Sequence, residues 1–168
     1  SVISTILFYS NFNFYYSGQE YAAQSSHLKP LLHTWSLSIE EQFYFIFPPL
    51  LIFIHRLKKI KPIHILCLLS LASLTLAHWA STRHPQINFY LLPSRMWELL
   101  AGSILVFVPA PLAKIRRLPL ASFLPDLGLI LIGYSIIFLH GAQHFPSLKT
   151  VTPVLGTCLI LAFPNKKS

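Results

Sequence analysis

His33-Thr-Trp-Ser-Leu-Ser-Ile-Glu-Glu-Gln-Phe-Tyr-Phe-Ile-Phe-Pro48 opens on a dense polar cluster and closes in an apolar run that continues to Ile54. Ser38 is followed three residues later by Glu41, the spacing of a capping box at a helix start. Read as a helix, the stretch stacks Ser36, Glu40 and Phe43 on one face, with Glu41, Tyr44 and Pro48 on a neighbouring one. His33, Trp35 and two carboxylates then crowd the mouth of a helix whose remainder is apolar enough to lie in lipid. Chemistry is to be sought at that mouth.

Working outward, the 168-residue chain is 54% hydrophobic and only 11% charged, with a mean hydropathy of +0.57. A soluble domain carries about a quarter charged residues. The expected fold is therefore all-α, a polytopic transmembrane bundle of about six spanning or part-spanning helices over residues 1–168. The chain opens inside an apolar run without Met or a signal peptide's charged n-region and cleavage site. It reads as a piece of a longer protein. The net charge is +8, but the cations sit in short loops between apolar runs rather than on a soluble face, which argues against nucleic acid. Cys67 and Cys158 lie in separate apolar segments without metal or disulfide spacing, and read as small core residues.

Along the chain, Val2 to Tyr9 reads as the end of a membrane helix. Ser10 to Leu32 reads as a polar loop with an interfacial aromatic belt in Phe12, Phe14, Tyr15 and Tyr16. Spans are expected at about Leu37–Ile54, kinked at Pro48-Pro49, and at Ile63–Ala80, long enough for a hydrocarbon core of roughly 30 Å. Arg95–Val108 is a shorter candidate, with Ser94 as its cap. Leu118–Leu139 follows, its start expected near Pro125 with Asp126 as an N-terminal cap. Leu148–Phe163 is the last.

Assigning alternate loops to opposite sides gathers nine of the 13 cations on one: Arg56, Lys58, Lys59, Lys61, Lys114, Arg116, Arg117, Lys166 and Lys167. Lys29, Arg83, Arg95 and Lys149 fall on the other. The positive-inside rule puts the nine in the cytoplasm, and His33, Trp35, Glu40, Glu41, Arg95 and Glu98 on the outer face. Six of the eight histidines also fall there: His27, His33, His78, His84, His140 and His144. No metal site is expected among them.

Two clusters are candidates for chemistry. In the first, the His33 imidazole can take a proton near neutral pH, as a general base on a hydroxyl must. A neighbouring carboxylate, Glu40 or Glu41, can hold its tautomer, and Trp35 offers a flat face to a sugar ring. Capping alone accounts for Glu41, and the positive end of a helix suits Glu40. Yet ionisable groups at the edge of lipid are costly, and this mouth has more of them than capping needs. In the second cluster, Arg95 and Glu98 are three residues apart and share a face. They pair at the interface, or they face the first cluster and grip an oxyanion. Gly102, one turn further, leaves space beside Glu98. Both readings stand.

The run His33 to Tyr44 resembles the signature of the bacterial acyltransferase-3 family of membrane O-acyltransferases. Tyr9-Ser10-Asn11-Phe12-Asn13-Phe14 resembles the element that precedes that signature. Phe89-Tyr-Leu-Leu-Pro-Ser-Arg-Met-Trp-Glu-Leu-Leu-Ala-Gly102 resembles a later one. The resemblance is close over about the first two thirds of the chain and rests on hydropathy beyond that. It implies a partial acyltransferase-3 membrane domain in a bacterial inner (cell) membrane. The implied reaction moves an acyl group, commonly acetyl, from cytoplasmic acyl-CoA (acetyl-CoA) as co-substrate to a sugar hydroxyl. Implied acceptors are cell-surface polysaccharides, lipopolysaccharide and related glycoconjugates. The family carries an Arg and a His on its first membrane helix, which would lie upstream of Ser1. N-terminal helices of the same protein are thus expected to be needed for activity.

The resulting assignment has His33, or the upstream His, deprotonate the hydroxyl while Glu40 and Glu41 orient that base. Arg95, with Glu98, stabilises the developing negative charge. Trp35, Ser36, Tyr44 and Trp97 shape the acceptor pocket. The competing class is a membrane transporter or a non-catalytic membrane component that binds a polar solute at the same outer mouth.

Overall fold

The computed structural model describes residues 2–16, 31, 33–57, 60–107, 109–139 and 145–164. Lys29, Lys58, Lys59, Lys166, Lys167, His27, His140 and His144, which carry part of the charge and histidine pattern, lie outside the described residues. Helices follow in the order α1 (Val2–Ile6), α2 (Ser10–Tyr16), α3 (Thr34–Arg56), α4 (Pro62–Arg83) and α5 (Pro85–Tyr90). After these come α6 (Leu92–Val106), α7 (Pro109–Ile115), α8 (Leu124–Phe138) and α9 (Val151–Ala162). Short 3₁₀ turns, Pro119–Phe123 and Leu148–Thr150, lead into α8 and α9. No strand occurs among the described residues. The fold is an all-α membrane bundle.

Proline punctuates it. Pro62, Pro85, Pro93 and Pro125 stand in the first turns of α4, α5, α6 and α8, where a fixed φ suits the helix and the missing N–H is not needed. Pro48 and Pro49 lie inside α3, which runs unbroken through both. Thr34–Arg56, Pro62–Arg83 and Pro119–Phe138 are long and apolar enough to cross a membrane. The 15-residue α6 and the apolar Leu148–Ala162 are shorter, part-spanning pieces, and α1 has five described residues. Large apolar side chains cover the outside, among them Phe45, Phe53, Leu68 and Ile137. Lipid, not water, suits such a belt.

The core gathers Phe14 of α2, Trp35, Ile39 and Phe43 of α3, Leu66 of α4, Tyr90 of α5 and Leu100 of α6. Phe43 stacks on Phe47, ring centroids 4.8 Å apart. At the other end of the chain, α8 and α9 pack backbone to backbone at Gly128 and Gly156.

Four local expectations change. Ser10 to Tyr16 is helical rather than loop, and Phe14 is buried in the core instead of joining an interfacial belt. Its polar residues find partners inside: the Ser10 and Ser38 hydroxyls lie 2.6 Å apart, and Asn11 Nδ2 donates to the Tyr90 carbonyl at 3.0 Å. The capping box is also displaced. α3 starts one turn earlier, after His33, so Ser38 is interior, buried, and donates to the Thr34 carbonyl at 3.2 Å. Ser94 is not a cap but lies within α6, where its hydroxyl donates to the Asn88 carbonyl at 2.6 Å. Asp126 sits in the first turn of α8, whose N-cap residue is Phe123; its carboxylate suits the positive helix end without capping it.

Candidate active site

At one end of the bundle, the first turns of α3, α6 and α9 meet the last turns of α8 around an open cleft of about 720 Å³. Among the described residues, Trp35, Ser36, Phe89, Arg95 and Glu98 form one wall. Ile132, Ser135, Ile136, Leu139 and Pro153 face them, with Phe145, Pro146 and Thr150 completing the lining. The cleft is thus charged on one side and mostly aliphatic on the other.

Arg95 is the most tightly held polar group in it. Its guanidinium carbon lies 4.7 Å from the Trp35 ring centroid and 4.9 Å from that of Phe89. The two rings are 4.5 Å apart. Its Nε donates to the Phe89 carbonyl at 2.8 Å, and Nη1 stands 3.5 Å from Glu98 Oε2. That last distance is an ion pair rather than a strong hydrogen bond. The side chains of Arg95 and Glu98 are 19% and 25% exposed, so both are screened yet reach the cleft. The arrangement comes from local sequence: Pro93 starts α6, Arg95 follows one turn in, and α5 ends at Tyr90 so that the Phe89 carbonyl points back to it. Gly102 leaves open space, since a Cβ there meets nothing within 4 Å.

A second layer fixes the wall. Asn88, fully buried, donates from Nδ2 to the Pro146 carbonyl at 2.6 Å and so ties α5 to the far rim of the cleft. The Ser73 hydroxyl of α4 donates to the Pro93 carbonyl and accepts the Trp97 amide at 3.1 Å. These contacts anchor the start of α6 on α4, and neither was legible as a sequence motif.

The residues expected to act together divide into groups. Trp35, Ser36, Arg95 and Glu98 share the cleft. Glu41 and Tyr44 line a separate groove with Leu7, Phe8, Gln42, Phe45 and Ile46. His33 and Glu40 are exposed and line neither. Trp97 is buried, and its Nε1 has no hydrogen-bond partner among the described residues. Trp35 is only 7% exposed and packed against Phe89, Tyr90 and Arg95. It positions the guanidinium, and its ring offers no free platform to a sugar. The reading of Glu41 as a mere cap falls with the capping box, because α3 begins well before Ser38.

The first face expected on α3 divides for a geometric reason. Thr34, Ser38 and Gln42, each four residues apart, form the polar ridge that meets α2. Gln42 Nε2 donates to Asn11 Oδ1 and to the Phe8 carbonyl, both at 2.9 Å. With that ridge turned inward, Glu41 lines another groove, and Glu40, one turn on from Ser36 along the same face, is exposed beyond the cleft.

The chain is similar over part of its length to bacterial O-acetyltransferases. It is 35% identical over 115 residues to O-acetyltransferase OatA of Staphylococcus aureus (strain NCTC 8325 / PS 47), covering 66% of this chain and 19% of that protein. It is 34% identical over 111 residues to peptidoglycan O-acetyltransferase OatA of Listeria monocytogenes, covering 63% and 18%. A Haemophilus influenzae protein named only as uncharacterized is 29% identical over 167 residues, which is 93% of this chain and 67% of that protein. The chain spans about a fifth of the length of the named O-acetyltransferases it matches. No family model matches it, and no solved structure gives a significant match.

Proposed function

We propose that this chain is part of a multi-pass O-acyltransferase of a bacterial inner membrane. It moves an acyl group, acetyl foremost, from acyl-CoA to a hydroxyl of a cell-envelope carbohydrate. One observation carries the reading: Arg95 and Glu98 of α6 stand beside Trp35 and Ser36 of α3 at a single cleft, in a chain partly similar to proteins named O-acetyltransferase. The Listeria relative is named for peptidoglycan, which favours a cell-wall glycan over lipopolysaccharide as acceptor.

In the transfer, the acceptor hydroxyl oxygen bonds to the acyl carbonyl carbon and the carbon–sulfur bond of the thioester breaks. The hydroxyl proton ends on the CoA thiol. Charge develops on the carbonyl oxygen, and a guanidinium N–H of Arg95 not used by Phe89 or Glu98 meets it there. Glu98 accepts the hydrogen bond of the incoming hydroxyl. Because Arg95 is held against two rings and donates to the Phe89 carbonyl, little reorganisation is needed as charge develops. The donor is cytoplasmic and the cleft is assigned to the outer rim, so this direct transfer requires the thioester end of acyl-CoA to reach through the bundle to the cleft.

Arg95→Ala and Glu98→Ala in the intact protein test this. Ester-linked acetate released from the cell-wall glycan by mild alkali is measured at matched membrane expression. A fall of roughly 100-fold is expected for Arg95→Ala. Undiminished O-acetylation in both variants rejects the reading in favour of a solute-binding or non-catalytic component.

A further inference from the structure

We infer that the α8 wall of the cleft, through Ile132 and Ile136, selects the length of the acyl chain that is transferred; this rests on the acyltransferase reading above. Ile132 and Ile136 are four residues apart, share one face of α8, and both line the cleft. They lie opposite a side whose charges already balance, because Arg95 is paired with Glu98. An anion entering there would have to compete with Glu98 for the guanidinium. A neutral carbonyl can accept from Arg95 while its alkyl end lies on the aliphatic wall. The cleft therefore suits an uncharged polar function joined to a short hydrocarbon.

The wall is also set in place. Gly128 and Gly156 bring α8 and α9 so close that a Cβ on Gly156 would lie 3.0 Å from Ile132 Cγ1 and 2.7 Å from the Gly128 carbonyl oxygen. Ile132 is thus wedged by α9 and cannot swing aside to admit a longer chain. Ile136, one turn further, is 60% exposed and borders the open part of the cleft. Shortening either side chain lengthens the aliphatic slot without touching Arg95 or Glu98. A single methylene in an apolar pocket changes selection by roughly tenfold or more.

The experiment uses membranes carrying the intact protein, offered acetyl-, propionyl- or butanoyl-CoA, with the esters on the glycan identified by mass. The readout is the ratio of butanoyl to acetyl transfer, which does not depend on how much of a variant folds. Ile132→Ala and Ile136→Ala are each expected to raise that ratio roughly tenfold over the unmodified protein. Ile136→Ala, at an exposed position, keeps the test open if Ile132→Ala disturbs the packing of α8 on α9. An unchanged ratio in both overturns the inference while leaving the acyltransferase reading standing. Loss of all acyl transfer in both also overturns it, because selection is then not what these residues do. If the unmodified protein transfers no acyl group from any of the three donors, the acyltransferase reading itself fails, and the inference with it.

Discussion

Gly128 of α8 and Gly156 of α9 meet backbone to backbone: a Cβ on Gly128 would lie 2.6 Å from the Gly156 carbonyl oxygen, and one on Gly156 would lie 2.7 Å from that of Gly128. Real Cβ atoms do not approach a carbonyl oxygen so closely, and a carbonyl cannot rotate away as a side chain can. Gly128→Ala or Gly156→Ala must therefore push the helices apart, at a cost of about 1–3 kcal/mol. Gly133 of the same helix meets nothing within 4 Å, so Gly133→Ala is neutral or stabilising by up to about 1 kcal/mol. Thermal unfolding of the three variants in detergent checks the contrast. Equal behaviour of Gly133→Ala and Gly156→Ala would show that the close approach does not exist.

Asn11 is fully buried and links three elements, with Nδ2 on the Tyr90 carbonyl of α5 and Oδ1 on Gln42 Nε2 of α3. Asn11→Leu is of similar size but leaves the Tyr90 carbonyl without this donor and removes one acceptor from Gln42. A buried polar group stripped of its partner costs about 1–3 kcal/mol. The expected result is a lowered unfolding temperature in detergent, with Asn11→Leu, Gln42→Leu doing less harm than the sum of the two single changes. Additive losses would mean that the two side chains do not interact.

Arg95→Lys keeps the charge but not the shape. A guanidinium is flat enough to lie against both the Trp35 and Phe89 rings while donating from Nε to the Phe89 carbonyl. An ammonium is a point charge without a face to stack. O-acetylation of the glycan is expected to fall roughly tenfold or more in Arg95→Lys. Full activity in Arg95→Lys at matched expression would show that only the charge matters.

Much of the architecture was legible because apolar run length is a strong constraint. Expected spans at about Leu37–Ile54 and Ile63–Ala80 correspond to Thr34–Arg56 and Pro62–Arg83, and a start near Pro125 corresponds to α8 at Leu124. The misreadings are polar. Ser10 and Asn11 look like loop residues, and Ser38 with Glu41 looks like a helix start, because local sequence does not show that their partners are supplied from elsewhere. Ser10 meets Ser38 at a separation of 28 residues, and Asn11 meets Tyr90 at 79.

The chain's own residues, read alone, determined an all-α membrane bundle and brought Arg95 and Glu98 onto one helix face, since both follow from periodicity and hydropathy along a single helix. Only the tertiary structure decided which side chains share a cleft. The rotation of α3 about its axis is set by Thr34, Ser38 and Gln42 docking on α2, and that rotation brings Trp35 to Arg95 while turning Glu41 to another groove. The facing wall came from α8, held by a glycine contact between residues 28 positions apart. Neither the azimuth of one helix against another nor the approach of two backbones is written in a local pattern, because each depends on the partner surface that buries it.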